Sequence, residues 1–210
     1  EYEQALLDFT KNLLYDLSFI SDFQAFVEDL IYPGRINSLS QTLLKLTAPG
    51  VPDIYQGTEL WDLSLVDPDN RRPVDFALRR RLLKSLAEMN PEQIVEEMDS
   101  GLPKLYLIRQ VLQLRRRHPE LFAIDSPYHP LKVRGDQQDH VLAFMRGKKA
   151  AVIVPRLVMT FPGAWGYTRI NLPGGRWENL LTGELFTGPE FLLKQILDGF
   201  PVALLVCEET

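Results

Sequence analysis

The sequence predicts an α+β chain in two parts, a mainly helical stretch over 1–120 followed by an antiparallel β domain over 121–210. Three observations predict it. Apolar residues recur at three- and four-residue steps through most of the first part. One short apolar run, Val51 to Gly57, breaks that period, and from about Pro119 short apolar runs bounded by Gly, Pro and Asp follow one another closely. Of the 210 residues 45% are hydrophobic and 24% charged, close to the globular norms of roughly 45–50% and about 25%, so a packed core rather than a disordered chain is expected.

Tyr2, Leu6, Phe9, Leu13 and Leu17 share one helical face that is already under way at Glu1, so a piece of a longer polypeptide is expected. Ser21 is expected to cap a second helix with Phe23, Phe26, Val27, Leu30 and Ile31 inward, ended by Pro33-Gly34. Asn37 or Ser38 then starts a third, with Leu39, Leu43, Leu44 and Leu46 inward and Pro49-Gly50 as its stop. Val51 to Gly57, apolar and bounded by Pro and Gly, reads as one buried strand. Thr58 to Val74 shows neither the helical nor the strand period over most of its length and reads as a long functional loop. It sits at the carboxyl end of the expected strand, where α/β units gather ligands.

Phe76 to Met89 and Leu102 to Arg117 return to the helical period, with Leu82, Leu83, Leu86 and Met89, then Leu105, Ile108 and Leu112, as apolar faces. Beyond Pro119 the runs LKVRG, HVLAFMR, AAVIVPRL, TRINLP, RWENLL, ELFTG and FPVALLVC read as strands. Leu181 to Glu184 reads as a hairpin turn in which Gly183 supplies the positive φ.

A net charge of −5 provides no overall attraction to nucleic acid or anionic lipid. The triplets Arg79–Arg81 and Arg115–Arg117 read as solvated helix faces, and no uninterrupted apolar run of about 18 residues is present to span a bilayer. Neither nucleic acid nor membrane is therefore expected as a partner. Cys207 has no second cysteine to pair with, which fits a reducing cytoplasm as the expected location. His118, His129 and His140 share no metal-ligand spacing. Asp67-x-Asp69-x-Arg71 opens like a calcium loop but has Arg72 where the turn needs Gly and no Glu at its twelfth position. No metal and no cofactor is expected.

Asp67-Pro-Asp-Asn-Arg71-Arg-Pro73 sets two acids, an amide and two guanidiniums between prolines. It is either a rigid array of hydrogen-bonding groups for a polyhydroxylated ligand or a salt-bridged turn, and an Asp67–Arg71 pair would lock it in both cases. Trp61 lies in the same loop, flanked by Glu59 and Asp62. Tyr55, Trp61, Trp165 and Trp177 have rings that can stack on sugar or fill a core.

Pro49 to Glu59 (PGVPDIYQGTE) resembles the eighth-strand motif of the α-amylase superfamily of glycoside hydrolases, glycoside hydrolase family 13, and Asp67 to Pro73 resembles its eighth loop. The longer string from Asn37 to Asp75, together with Lys104 to Phe122 and the final FPVALL, resembles the maltooligosyl trehalose synthase family. The resemblance implies an isomerase, an intramolecular transglucosylase that turns the reducing-end α-1,4 linkage of a maltooligosaccharide into an α,α-1,1 linkage in trehalose synthesis. It implies a (β/α)8 barrel followed by a β-sandwich. Residues 1–120 would then be a helical insertion plus the end of the barrel, with its last strand at about 51–57 and its loop at about 58–75, and residues 121–210 the sandwich.

On the same resemblance Asp67 and Arg71 would hold the donor-side glucose, with Tyr55, Glu59 and Trp61 either lining the cleft wall or standing behind the residues that touch sugar. The family's catalytic carboxylates lie on earlier barrel strands and have no counterpart among residues 1–50, so no catalytic residue is expected here and the chain alone is expected to be inactive. The alternative is a glucan-binding β module gripping sugar through Trp165 or Trp177.

Overall fold

The computed structural model describes residues 1–207 and separates the chain into two compact units, Glu1–Arg35 and the part from Ile36 onward. In the first unit, α1 (Tyr2–Tyr15) is followed at once by α2 (Leu17–Thr47), which runs on into the second. The start of α2 is set by Asp16, whose carboxylate accepts from the backbone N–H of Ser18 at 2.9 Å and of Phe19 at 3.2 Å. Ser21 is thus inside the helix rather than its cap.

Pro33-Gly34 does not end α2, and Asn37 and Ser38 do not begin another helix, because Pro33 lies within a continuous α2. Proline forfeits the bond to the carbonyl four residues back. Here that residue, Asp29, is exposed, so water can satisfy the acceptor, while Leu39, Leu43 and Leu46 bury the next turns of the helix. The apolar face read for residues 1–35 is present but uncovered. Leu6, Phe9, Phe23 and Phe26 are each more than half exposed, and α1 buries no residue.

The second unit is mixed helix and antiparallel sheet. After α2 come α3 (Phe76–Ser85), α4 (Pro91–Glu96) and α5 (Leu102–Arg117). Asp75 caps α3, its carboxylate accepting from Leu78 N–H at 2.8 Å, and α3 stops at Ser85 so that Asn90 and Gln93 can form a reciprocal capping box on α4. The α5 bounds match the periodicity, but its buried stripe is wider than read. Leu107, Val111 and Leu114 join Leu105 and Ile108, whereas Leu112 is exposed. So is Leu83 on α3.

The strands are β1 (Tyr128–Pro130), β2 (Val133–Arg134), β3 (Val141–Arg146), β4 (Ala150–Pro155), β5 (Arg169–Asn171), β6 (Arg176–Asn179), β7 (Leu185–Thr187), β8 (Glu190–Leu192) and β9 (Ala203–Cys207). They form a six-stranded sheet, ordered β1-β3-β4-β9-β6-β7, and a three-stranded sheet, β2-β5-β8, all pairs antiparallel. Every run read as a strand beyond Pro119 contains one. The β6–β7 turn has Gly183 at φ +78°, with its N–H on the Asn179 carbonyl at 2.7 Å.

The register explains why β4 is a continuous apolar run rather than an alternating one. Ala150, Val152 and Val154 join a core with α2 and α5, while Ala151 and Ile153 join a second core with Ile170 and Phe191 of the smaller sheet. The six-stranded sheet is therefore covered on both faces. The first core runs from Leu39 through Leu107 to Phe144 and Leu204, so the expected boundary at 120/121 marks a change from helix to strand without a break in packing.

Residues 51–57 form no strand. Val51 is 97% exposed, only Ile54 of the segment packs against the core, and the chain turns at Tyr55–Thr58, where Thr58 N–H donates to the Tyr55 carbonyl at 3.1 Å. A strand needs a neighbour to accept its ladder bonds, and the described residues place none beside this one.

Candidate functional site

The loop after Gly57 folds without strand or α-helix, with one 3-10 turn at Asp69–Arg71, and its polar residues bond chiefly to each other. Arg71 Nη2 donates to Asp67 Oδ2 at 2.6 Å, four residues apart as the spacing suggested. Asp69 receives the Leu65 N–H at 2.8 Å on one carboxylate oxygen and pairs through the other with Arg72. Asp62 accepts from Ser64, and hydrogen bonds from the Ser64 side chain and backbone hold its carboxyl below the usual range. The Asp67 and Arg71 side chains are 55% and 66% exposed, so the pair stands in water with acceptor and donor edges open to a ligand.

The base of the loop is fixed differently. Arg79, in the first turns of α3, directs its guanidinium back across the loop: Nε donates to Glu59 Oε2 at 2.9 Å, Nη1 to the Asp75 carbonyl at 3.2 Å, and Nη2 to the Gly57 carbonyl. From α5, Lys104 Nζ donates to the Leu60 carbonyl at 3.1 Å and lies 5.9 Å from the centre of the Trp61 ring. Trp61 in turn donates its indole N–H to the Met98 carbonyl at 2.6 Å. Lys104 is only 9% exposed, and its burial, with Lys45 nearby, pushes the ammonium below its ordinary value against the opposing pull of Asp62 and Glu59.

Between base and tip lies a depression of about 400 Å³ whose lining includes Trp61, Asp62, Asn70, Asp75 and Arg79. Of the five residues expected at the site, Trp61 lines it. Glu59 stands behind it on Arg79, Asp67 and Arg71 form the exposed tip, and Tyr55 is part of the turn before the loop. The structure thus brings Glu59 and Trp61 into one braced base and sets Asp67–Arg71 apart from them. Arg79 and Lys104 were not legible as site residues: the triplet Arg79–Arg81 reads as a wet helix face, and only Arg80 and Arg81 are exposed. One local signal existed for Arg79, its position four residues after the Asp75 cap.

Trp177 is fully buried in the second core with its indole N–H on the Pro173 carbonyl at 3.0 Å, so it cannot serve as a sugar platform. Trp165 packs its ring 4.4 Å from that of Phe161 and is half-buried. Among the described residues no group of three or more His, Cys, Asp or Glu side chains is placed to hold a metal, and no helix is long and apolar enough to cross a membrane.

No family profile matches the chain. A Mycobacterium tuberculosis protein named as a maltooligosyl trehalose synthase is 40% identical over 196 residues, which is 93% of this chain and 24% of that protein. The solved maltooligosyltrehalose synthase of Arthrobacter ramosus superposes with a TM-score of 0.88 at 38% identity, covering 99% of this chain and 27% of that one. A second solved maltooligosyl trehalose synthase covers 99% of this chain and 26% of its own at 29% identity and a TM-score of 0.79. The chain therefore spans about a quarter of the length of the relatives it matches. In sequence and in fold it corresponds to the carboxyl-terminal part of those larger maltooligosyl trehalose synthases.

Proposed function

We propose that this chain acts as the carboxyl-terminal part of a maltooligosyl trehalose synthase, a (1→4)-α-D-glucan 1-α-D-glucosylmutase of glycoside hydrolase family 13 working on maltooligosaccharides in the cytoplasm. The observation that carries this reading is the 38% identity and 0.88 TM-score over 99% of the chain to a solved member. In the full-length enzyme residues 51–57 would gain barrel neighbours and become the last strand, and residues 121–210 would be the β-sandwich.

Retaining chemistry at an anomeric carbon uses a carboxylate nucleophile and a carboxyl acid/base about 5–5.5 Å apart. Glu59 is spoken for by Arg79 and Asp62 by Ser64, which supports a chain that lacks that pair and is inactive alone. Its part would be positioning. Asp67 can accept from, and Arg71 donate to, vicinal sugar hydroxyls, and their mutual 2.6 Å contact holds both groups ready for a glucose on the donor side. Tyr55, Glu59 and Trp61 would support that loop or line its wall.

Full-length enzyme incubated with maltopentaose is expected to accumulate a non-reducing isomer, and residues 1–210 alone none. Turnover by the isolated chain would contradict the assignment of catalysis to the missing part, and a full-length enzyme that only hydrolyses would overturn the isomerase reading.

A further inference from the structure

The two ends of the ligand loop are held by a single side chain. Gly57 closes the segment before the loop and Asp75 ends it, and both carbonyls accept from the guanidinium of Arg79, whose third edge holds the Glu59 carboxylate. The Arg79 and Glu59 side chains are 17% and 25% exposed, so the bonds to Glu59 and Gly57 are made largely out of water, where charged hydrogen bonds have most effect, while the bond to Asp75 lies nearer the surface. The turn that presents the Gly57 carbonyl to Arg79 favours glycine, since its φ is +92° and an added Cβ would stand 3.1 Å from Val74 Cγ2. The loop between these ends is long, with no strand or α-helix to stiffen it, and its tip bonds, Asp67–Arg71 and Asp69–Arg72, stay within the loop. Among the described residues these side-chain bonds of the tip do not reach the helices, whereas those of the base do.

We infer that Arg79 is a positioning residue, the clasp that sets the mouth of the loop and so places Asp67 and Arg71 for a glucosyl ligand. The inference rests on the functional reading above for the ligand and on the geometry of Gly57, Glu59 and Asp75 for the clasp. Lysine at 79 could reach one of the three acceptors but not span them, since its ammonium is a single point and the guanidinium a planar fork.

The test uses the full-length enzyme carrying Arg79→Ala and Arg79→Lys. Arg79→Ala is expected to raise KM for maltopentaose at least about tenfold, the scale of a lost charged hydrogen bond, with kcat changed much less. Low-millimolar guanidinium ion is expected to restore KM in this variant, which general destabilisation would not allow. Arg79→Lys is expected to raise KM as well, with faster amide exchange confined to residues 57–75.

An unchanged KM in both variants, or a loss that guanidinium leaves untouched, would overturn the clasp. Where Arg79→Ala does not fold, Arg79→Lys decides: faster exchange at 57–75 alone supports the clasp, and faster exchange spread over α3 and α5, or none at all, sinks it. A wild-type enzyme that makes no non-reducing isomer would instead overturn the functional reading, leaving the exchange pattern to judge the clasp.

Discussion

Asp67 and Arg71 meet in water, and that separates their contribution to ligand binding from any contribution to stability. An ion pair this exposed is worth about 0–1 kcal/mol to the fold, so Arg71→Ala is expected to move the thermal midpoint of the full-length enzyme by no more than about 2 °C. The donor role toward a sugar proposed for Arg71 is another matter. Loss of a charged hydrogen bond, about 1.5–3 kcal/mol, predicts a kcat/KM for maltopentaose lower by roughly 10–150-fold, and an unchanged value would remove Arg71 from the site.

Lys104 is the opposite case, a cation taken out of water near the start of α5 and held on a backbone carbonyl. Because burial lowers its folded-state value beneath the ordinary 10.5, the unfolded chain keeps a proton at pH values where the folded chain has released it. Stability is therefore expected to rise with pH from the lowered value up to 10.5. Lys104→Met should abolish that rise, visible as a flat urea midpoint where wild type climbs; parallel curves for the two proteins would refute the account.

The helices and their joints show where local rules hold and where packing overrides them. Gly101 starts α5 at φ +78°, and a Cβ there would lie 2.9 Å from the Trp61 backbone N and 3.1 Å from Leu60 Cβ. Gly101→Ala is therefore expected to cost about 2 kcal/mol or more in urea denaturation, and an alanine variant as stable as wild type would mean the loop base can shift freely. The Asp75 cap, the bounds of α5 and the Gly183 hairpin were readable because each depends on a few neighbouring residues. The continuation of α2 through Pro33 was not, since it depends on the exposure of Asp29 to water and on the burial of the turns that follow. Arg79 escaped for a similar reason. A cation's sequence neighbours do not reveal that two carbonyls and a carboxylate from 57–75 converge on it.

From Ile36 onward the chain shares cores that tie both sheets to the helices. Ser40 donates to the Pro155 carbonyl at 3.0 Å, Tyr106 to that of Leu181 at 3.1 Å, and buried Arg146 to those of Leu121 and Ala123 at 3.2 Å each. Bonds that cross so many elements leave no subset able to open cheaply, so tryptophan emission from Trp177 and helical circular dichroism of a 36–210 chain are expected to report one coincident urea transition. Two separated transitions would instead support a domain boundary near 120.

Residue order alone established the α+β class, the positions of α5 and the β strands, the loop with its Asp67–Arg71 spacing, and the resemblance that the relatives bear out. Those are periodicities, turn chemistries and strings, all written locally. Only the folded chain decided that 51–57 stands without a ladder, that Trp177 is core, and that Arg79 and Lys104 brace the loop. Each of those depends on groups brought together from distant parts of the chain, or on a strand partner's absence, and neither leaves a mark on the residues beside it.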